Sequence, residues 1–205
     1  MGQYYRVLEK EGNKRLVVYN RNIIISGKEK YTSAKLMEHS WWYNEFVNAI
    51  CEKIYNSSKH TRIIWMGDYA DHFLKAYKNG FNDIPYKKAS QYFKRCWGEP
   101  DVSIAIPTSQ FNLHKEYLVN HTKEEYIDCS AYYKASEMEA GWCIHPLPLL
   151  TCIGNRCGGG GDYLNPTLSS SFDLVGMWAW DEISIEDKAI PEYNEIFPIF
   201  KEDWS

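Results

Sequence analysis

Runs of apolar and β-branched residues open the chain. Residues 3–9 and 15–25 read as strands, with Leu16-Val-Val-Tyr19 and Ile23-Ile-Ile25 as their most hydrophobic stretches and Glu11-Gly-Asn-Lys14 as the turn between them. Asn20-Arg-Asn22 is polar enough to divide the second run in two. The period then changes from two to about four. Trp42, Phe46, Ile50 and Ile54 fall on one face with Val47 beside them, which predicts an amphipathic helix to about Tyr55, capped by Ser40 or Asn44. His39, just before it, reads as a structural hydrogen-bonding residue.

Arg62-Ile-Ile-Trp-Met-Gly-Asp-Tyr-Ala-Asp71 reads as a buried strand ending in a polar turn. A short helix over 71–78 ends at Asn79-Gly80, and a second has Pro85 in its first turn and runs through Trp97, with Ala89, Phe93 and Trp97 on its apolar face. Residues 102–106 form a further strand. Glu116 to Asp128 reads as a hairpin around Asn120-His-Thr-Lys123, which places His121 at an accessible turn. Residues 134–141 read as a polar linker with at most a short helix. Two prolines exclude His145-Pro-Leu-Pro-Leu-Leu150 from being a central strand throughout. Asp173–Asp181 and Glu182–Glu186 are expected as the last strands, and the apolar end Phe197-Pro-Ile-Phe200 is expected to pack back on the body. Together these elements predict a single globular domain, 1–205, of the α+β class: a mainly antiparallel sheet with two principal helices packed on it.

Composition narrows the functional classes. A net charge of −4 and a pI near 5.9 argue against an extended nucleic-acid partner, which needs a basic footprint. No apolar run is long enough to span a membrane and no secretory signal opens the chain, so a cytoplasmic protein without a membrane partner is expected. In that compartment the 6 cysteines are expected as reduced thiols that pack as small hydrophobes. Aromatics reach 16%, enough either to fill a core or to line a recognition surface.

Candidate chemistry concentrates at a few places. Four successive glycines, Gly158, Gly159, Gly160 and Gly161, are costly to order. Exposed backbone N–H groups in such a run form an anion-binding nest, with Asn155, Arg156, Asp162 and Tyr163 around it. The Walker pattern and the Gly-x-Gly-x-x-Gly unit are both absent, so neither familiar nucleotide motif applies. Asp68 and Asp71, with Tyr69 between them, follow a strand, where carboxylates are fixed yet exposed; they are candidates for acid–base work or for holding a divalent cation. His121 is the histidine placed nearest to such work. A Cys–His nucleophile pair would need Cys152 or Cys157 beside His121 or His145. No zincin motif is present, and the sequence does not identify a cofactor.

The blocks Met1-Gly-Gln-Tyr-Tyr5, Lys35-Leu-Met-Glu-His-Ser40, Trp65-Met-Gly-Asp-Tyr-Ala-Asp71, Asn120-His-Thr-Lys123, His145-Pro-Leu-Pro-Leu-Leu150 and the glycine-rich stretch to Asp162-Tyr163 resemble a protein family recurrent in bacteria and their phages. The resemblance spans nearly the whole chain and implies no particular reaction. Its loop pattern is Gly-Asn-Gly-Arg-Gly-Gly-Gly-Asp-Tyr, whereas this chain reads Gly154-Asn-Arg-Cys-Gly-Gly-Gly-Gly-Asp-Tyr163, which changes the offset of the arginine from Asp162.

Three functions follow as expectations. The leading one is a binding protein for a small polar, nucleotide-like ligand, with Asp68, Tyr69, Asp71, His121 and the residues of the glycine loop converging on one pocket. In a phage or mobile element it would act in counter-defence. The alternatives are a hydrolase using Asp68 and Asp71, with or without a divalent metal, and a protein-interaction module with an aromatic patch.

Overall fold

The computed structural model describes residues 4–11, 15–25, 27–31, 42–70, 86–100, 102–105, 115–140, 144–154 and 175–197. Its strands are β1 (Tyr5–Glu11), β2 (Arg15–Ile25), β3 (Lys28–Tyr31), β4 (Thr61–Gly67), β5 (Val102–Ala105), β6 (Tyr117–Asn120), β7 (Glu125–Asp128), β8 (Cys152–Ile153), β9 (Glu182–Glu186) and β10 (Asn194–Glu195). The helices among the described residues are α1 (Glu45–Tyr55), α2 (Tyr86–Cys96), α3 (Cys129–Ala140) and α4 (Pro146–Thr151). The strands join one mostly antiparallel sheet in the order β10-β7-β6-β9-β4-β1-β2-β3, with β5 added to β2 and β8 added to β4. The architecture is the α+β arrangement expected from the sequence.

β4 organises the sheet. One edge pairs along its length with β1, from Arg62↔Lys10 to Gly67↔Tyr5. The other edge is shared. Antiparallel β9 takes the first half, through Thr61↔Ile183 and Arg62↔Glu182, and parallel β8 takes the second, through Trp65↔Cys152 and Met66↔Ile153. Because successive side chains of a strand point to opposite faces, Ile63 and Trp65 enter one core while Ile64 and Met66 enter another. The first core holds α1, Tyr132 of α3 and the leucines of α4; the second holds Ala89 and Cys96 of α2. Helices therefore cover both faces of the sheet.

The helix boundaries have local causes. Asn44 caps α1, its Oδ1 accepting the N–H groups of Phe46 and Val47 at 3.0 and 3.1 Å. Buried Phe46, Val47, Ile50 and Ile54 form the expected apolar face. β2 runs unbroken through Asn20-Arg-Asn22; the irregularity falls instead on its pairing with β5, between Tyr19 and Ile23.

Two expectations are corrected. Residues 134–140 of the expected linker belong to a helix of 12 residues that begins at Cys129, because Asp128 Oδ1 accepts the N–H groups of Ser130 and Ala131 and starts the turn directly at the end of β7. Residues 175–180 are successive turns and not strand. Gly176 and Trp180 have φ of 74° and 68°, values that end extended pairing. Trp180 is held there by its N–H donating to Ile63 O, by its carbonyl accepting from Arg62 and by its ring packing on Tyr92 at 4.3 Å. The helix expected over 71–78, His39 and residues 198–200 lie outside the described residues.

Candidate functional site at the two ends of β4

The entry end of β4 carries a polar cluster assembled from three strands. His60 directly precedes β4, His121 directly follows β6, and Ser184 and Glu186 lie on β9, which pairs with both. Along β9, Ile183 and Ile185 point into the core, so Glu182, Ser184 and Glu186 point to the opposite face. The imidazoles of His60 and His121 stack with centroids 3.6 Å apart and planes 5° from parallel.

His121 is firmly placed. Asn120, wholly buried, accepts the N–H groups of Thr122 and Lys123 with Oδ1 and donates to Asp181 with Nδ2 at 2.8 Å. The His121 N–H donates to Glu182 O at 2.8 Å, and Thr122 Oγ1 accepts the Glu182 N–H. Of the ring nitrogens, Nδ1 lies 3.3 Å from Tyr193 Oη and Nε2 lies 2.8 Å from Ser184 Oγ. Ser184 in turn donates to Glu186 Oε1 at 2.5 Å. One assignment satisfies every contact: Tyr193 donates to Nδ1, Nε2–H donates to Ser184, and Ser184 donates to Glu186. Burial, and secondarily the neighbouring His60, hold His121 below the usual imidazole range, which agrees with a neutral ring. In this arrangement Ser184 gives its proton to a carboxylate and accepts from histidine, the reverse of an activated nucleophile.

A cleft of about 330 Å³ adjoins His60, lined by Lys53, Ser57, Ser58, Lys59 and Thr61 together with Glu9. Glu9 is buried, yet its carboxylate accepts from Tyr19 Oη at 2.6 Å, Lys53 Nζ at 2.8 Å and Thr61 Oγ1 at 2.8 Å. A buried carboxylate of this kind is tolerable because its lone pairs are filled by donors, one of them charged.

The exit end of β4 carries Asp68 and Tyr69, both half-buried. Asp68 is tied to β1 from both sides: its N–H donates to Tyr4 O at 2.9 Å and its Oδ1 accepts the Tyr4 N–H at 3.2 Å. β8 runs parallel to β4 here, so Gly154 leaves the sheet beside Gly67. Asp71, Asn155, Arg156, Gly158, Gly159, Gly160, Gly161, Asp162 and Tyr163 lie outside the described residues.

Sequence alone expected Asp68 and His121 to share a pocket. The structure does not bring them together. His121 stacks on His60, whereas Asp68 is eight residues further along an extended strand, about 26 Å at roughly 3.3 Å per residue. Cys152 pairs with neither His121 nor His145 among the described residues, and Cys157 lies outside them. Buried His145 caps α4, its Nδ1 accepting the Leu147 N–H at 3.1 Å, and its Nε2 faces Cys51 Sγ at 3.5 Å. Burial, and then the neighbouring Cys129, push the Cys51 thiol well above its ordinary range, so it is a packed thiol. Cys152 Sγ is likewise buried and donates to Leu149 O. Trp42, Trp65 and Trp178 are core residues, which removes them from any surface patch.

Sequence reasoning missed His60, Ser184, Glu186 and Tyr193. His60 lies 61 positions before His121, and Ser184, Glu186 and Tyr193 lie 63 to 72 after it, so only strand pairing gathers them; the alternation Glu182-Ile-Ser-Ile-Glu186 was the one local signal that a polar face existed. No helix among the described residues is long and apolar enough to cross a membrane. Comparison of the chain with protein-family models, with curated proteins and with solved structures finds no match.

Proposed function

We propose that this protein binds a small polar, nucleotide-like ligand at the exit end of β4. The observation that carries the reading is the strand register. Met66 pairs with Ile153 in parallel, so the chain toward Asp68 and Tyr69 and the chain toward the glycine run leave the sheet side by side. Beyond the carboxyl ends of parallel strands is where open sheets seat ligands, because the departing loops converge there. Asn155 to Tyr163 follow Gly154 within nine residues, which is no more than about 32 Å of chain and so within reach of Asp68.

In this reading the N–H groups of Gly158–Gly161 hold an anionic group and Arg156 adds charge. Tyr69 and Tyr163 stack on a base or sugar, and Asp68 and Asp162 accept from ligand hydroxyls. A phage-related protein of this kind would sequester a signalling nucleotide of its host.

Titration calorimetry of the full chain against mono-, di- and cyclic nucleotides tests the proposal. At least one class is expected to bind, and Asp68→Asn is expected to weaken it on the order of tenfold, the loss of one charge-assisted hydrogen bond. Asparagine keeps a carbonyl for Tyr4, so stability is expected to change by less than about 0.5 kcal/mol. Silence across the panel overturns the proposal. Turnover of a phosphoester in the same cell would replace it with the hydrolase reading.

A further inference from the structure

His60, His121 and Glu186 each present a metal-ligating atom, and the three atoms lie within 4.8 Å of one another. They come from separate stretches of chain and are gathered by the pairing of β9 with both β4 and β6. The geometry points to a binding site for a divalent transition metal of the Zn²⁺ class at the entry end of β4, with His60, His121 and Glu186 as its ligands. Two imidazole nitrogens and one carboxylate oxygen suit Zn²⁺, Co²⁺, Ni²⁺ or Cu²⁺, whereas Mg²⁺ and Ca²⁺ favour all-oxygen sets. Three protein ligands would leave a coordination position open, as catalytic zinc sites do. The site is independent of the ligand proposed for the exit end.

The distances are close to what an ion needs. Tetrahedral Zn²⁺ with bonds of about 2.0–2.1 Å sets its donor atoms about 3.4 Å apart, so the cluster has to contract by at most about 1.4 Å. Parallel stacked rings cannot both aim an in-plane lone pair at one point, so one of them must turn. His60 is the ring free to do so: it is exposed, and among the described residues it makes no hydrogen bond. His121 supplies the fixed side. With an ion on Nε2, Nδ1–H donates to Tyr193 Oη, which already lies 3.3 Å away, and this partner orients the ring. Ser184 Oγ, 2.8 Å from Nε2 and bonded to Glu186, now bridges the two donors and marks the space between them. The neighbouring cleft shares His60 with the cluster.

The test uses the full chain, stripped with chelator and titrated with Co²⁺ under visible absorption, then with Zn²⁺ in competition. One equivalent of Co²⁺ is expected to bind with ligand-field bands, and Zn²⁺ is expected to abolish them. His60→Ala and Glu186→Gln are each expected to weaken binding on the order of tenfold or more. His60 is exposed, so its variant is expected to melt as the metal-free wild type does. The proposal is overturned if the wild type takes up neither ion, or if His60→Ala binds Co²⁺ as tightly as the wild type.

Discussion

The entry and exit ends of β4 solve the same problem, ending a buried strand in polar residues, by different means. At the entry end side chains satisfy one another across strands: Tyr193, His121, Ser184 and Glu186 form one hydrogen-bonded series, and Glu9 gathers Tyr19, Lys53 and Thr61. At the exit end the backbone carries more of the work. Asp68 is tied to both main-chain groups of Tyr4, by its own N–H and by its carboxylate, and Gly67 and Gly154 bring two chains out of the sheet together. The first end is a preformed cluster whose members are far apart in sequence. The second is a junction from which two short, chemically dense segments depart.

Three substitutions sharpen that comparison, beginning with the largest effect. Trp65→Ala removes a buried ring from the middle of β4, packed edge-on against Phe46 at 5.7 Å. It is expected to cost about 3–5 kcal/mol of stability and to weaken both ends at once, measured by urea unfolding alongside Co²⁺ and nucleotide titrations. If only one end suffers, the strand does not couple them.

Asn120→Ala deletes two acceptances and one donation that hold the His121 turn. About 2 kcal/mol is expected from leaving buried partners unsatisfied. The same variant should weaken Co²⁺ binding by letting His121 move. Unchanged stability would show that β6 and β7 fix the turn without its asparagine.

The smallest effect concerns Glu116, at the far side of β9. Burial first, and then hydrogen bonding to and repulsion by Asp187, raise its carboxyl above the usual range. Tyr55 also donates to Asp187, at 2.7 Å. A raised folded-state carboxyl binds its proton more tightly than the unfolded chain does, so this contribution to stability is present at low pH and declines as pH rises from the unfolded toward the folded value. Glu116→Gln is therefore expected to flatten that decline and to raise the melting temperature slightly at neutral pH. A melting curve that drops at pH 7 would reverse the assignment.

Local patterns determined much of the framework. The four-residue spacing of Trp42, Phe46, Ile50 and Ile54 and the side chain of Asn44 define α1, and the turn around Asn120 to Lys123 defines the β6–β7 hairpin. Such features depend on neighbours a few positions away, which the sequence displays directly. Asp68 and Tyr69 were legible for the same reason, as polar residues at the end of a hydrophobic run. The turns over 175–180 were not, because Trp180 takes a positive φ only through its contacts with Ile63, Arg62 and Tyr92.

The metal-type cluster belongs wholly to tertiary structure. His60 alone is an exposed histidine in a serine-rich turn, and Glu186 alone is a carboxylate ending a strand. Their meeting required β9 to pair with β4 on one edge and with β6 on the other. By itself the sequence settled which faces are apolar and where polar chemistry is dense, since burial and turn formation are paid by local side chains. Which distant polar residues share a site was decided only by strand order and register, because those follow from the packing of the whole sheet.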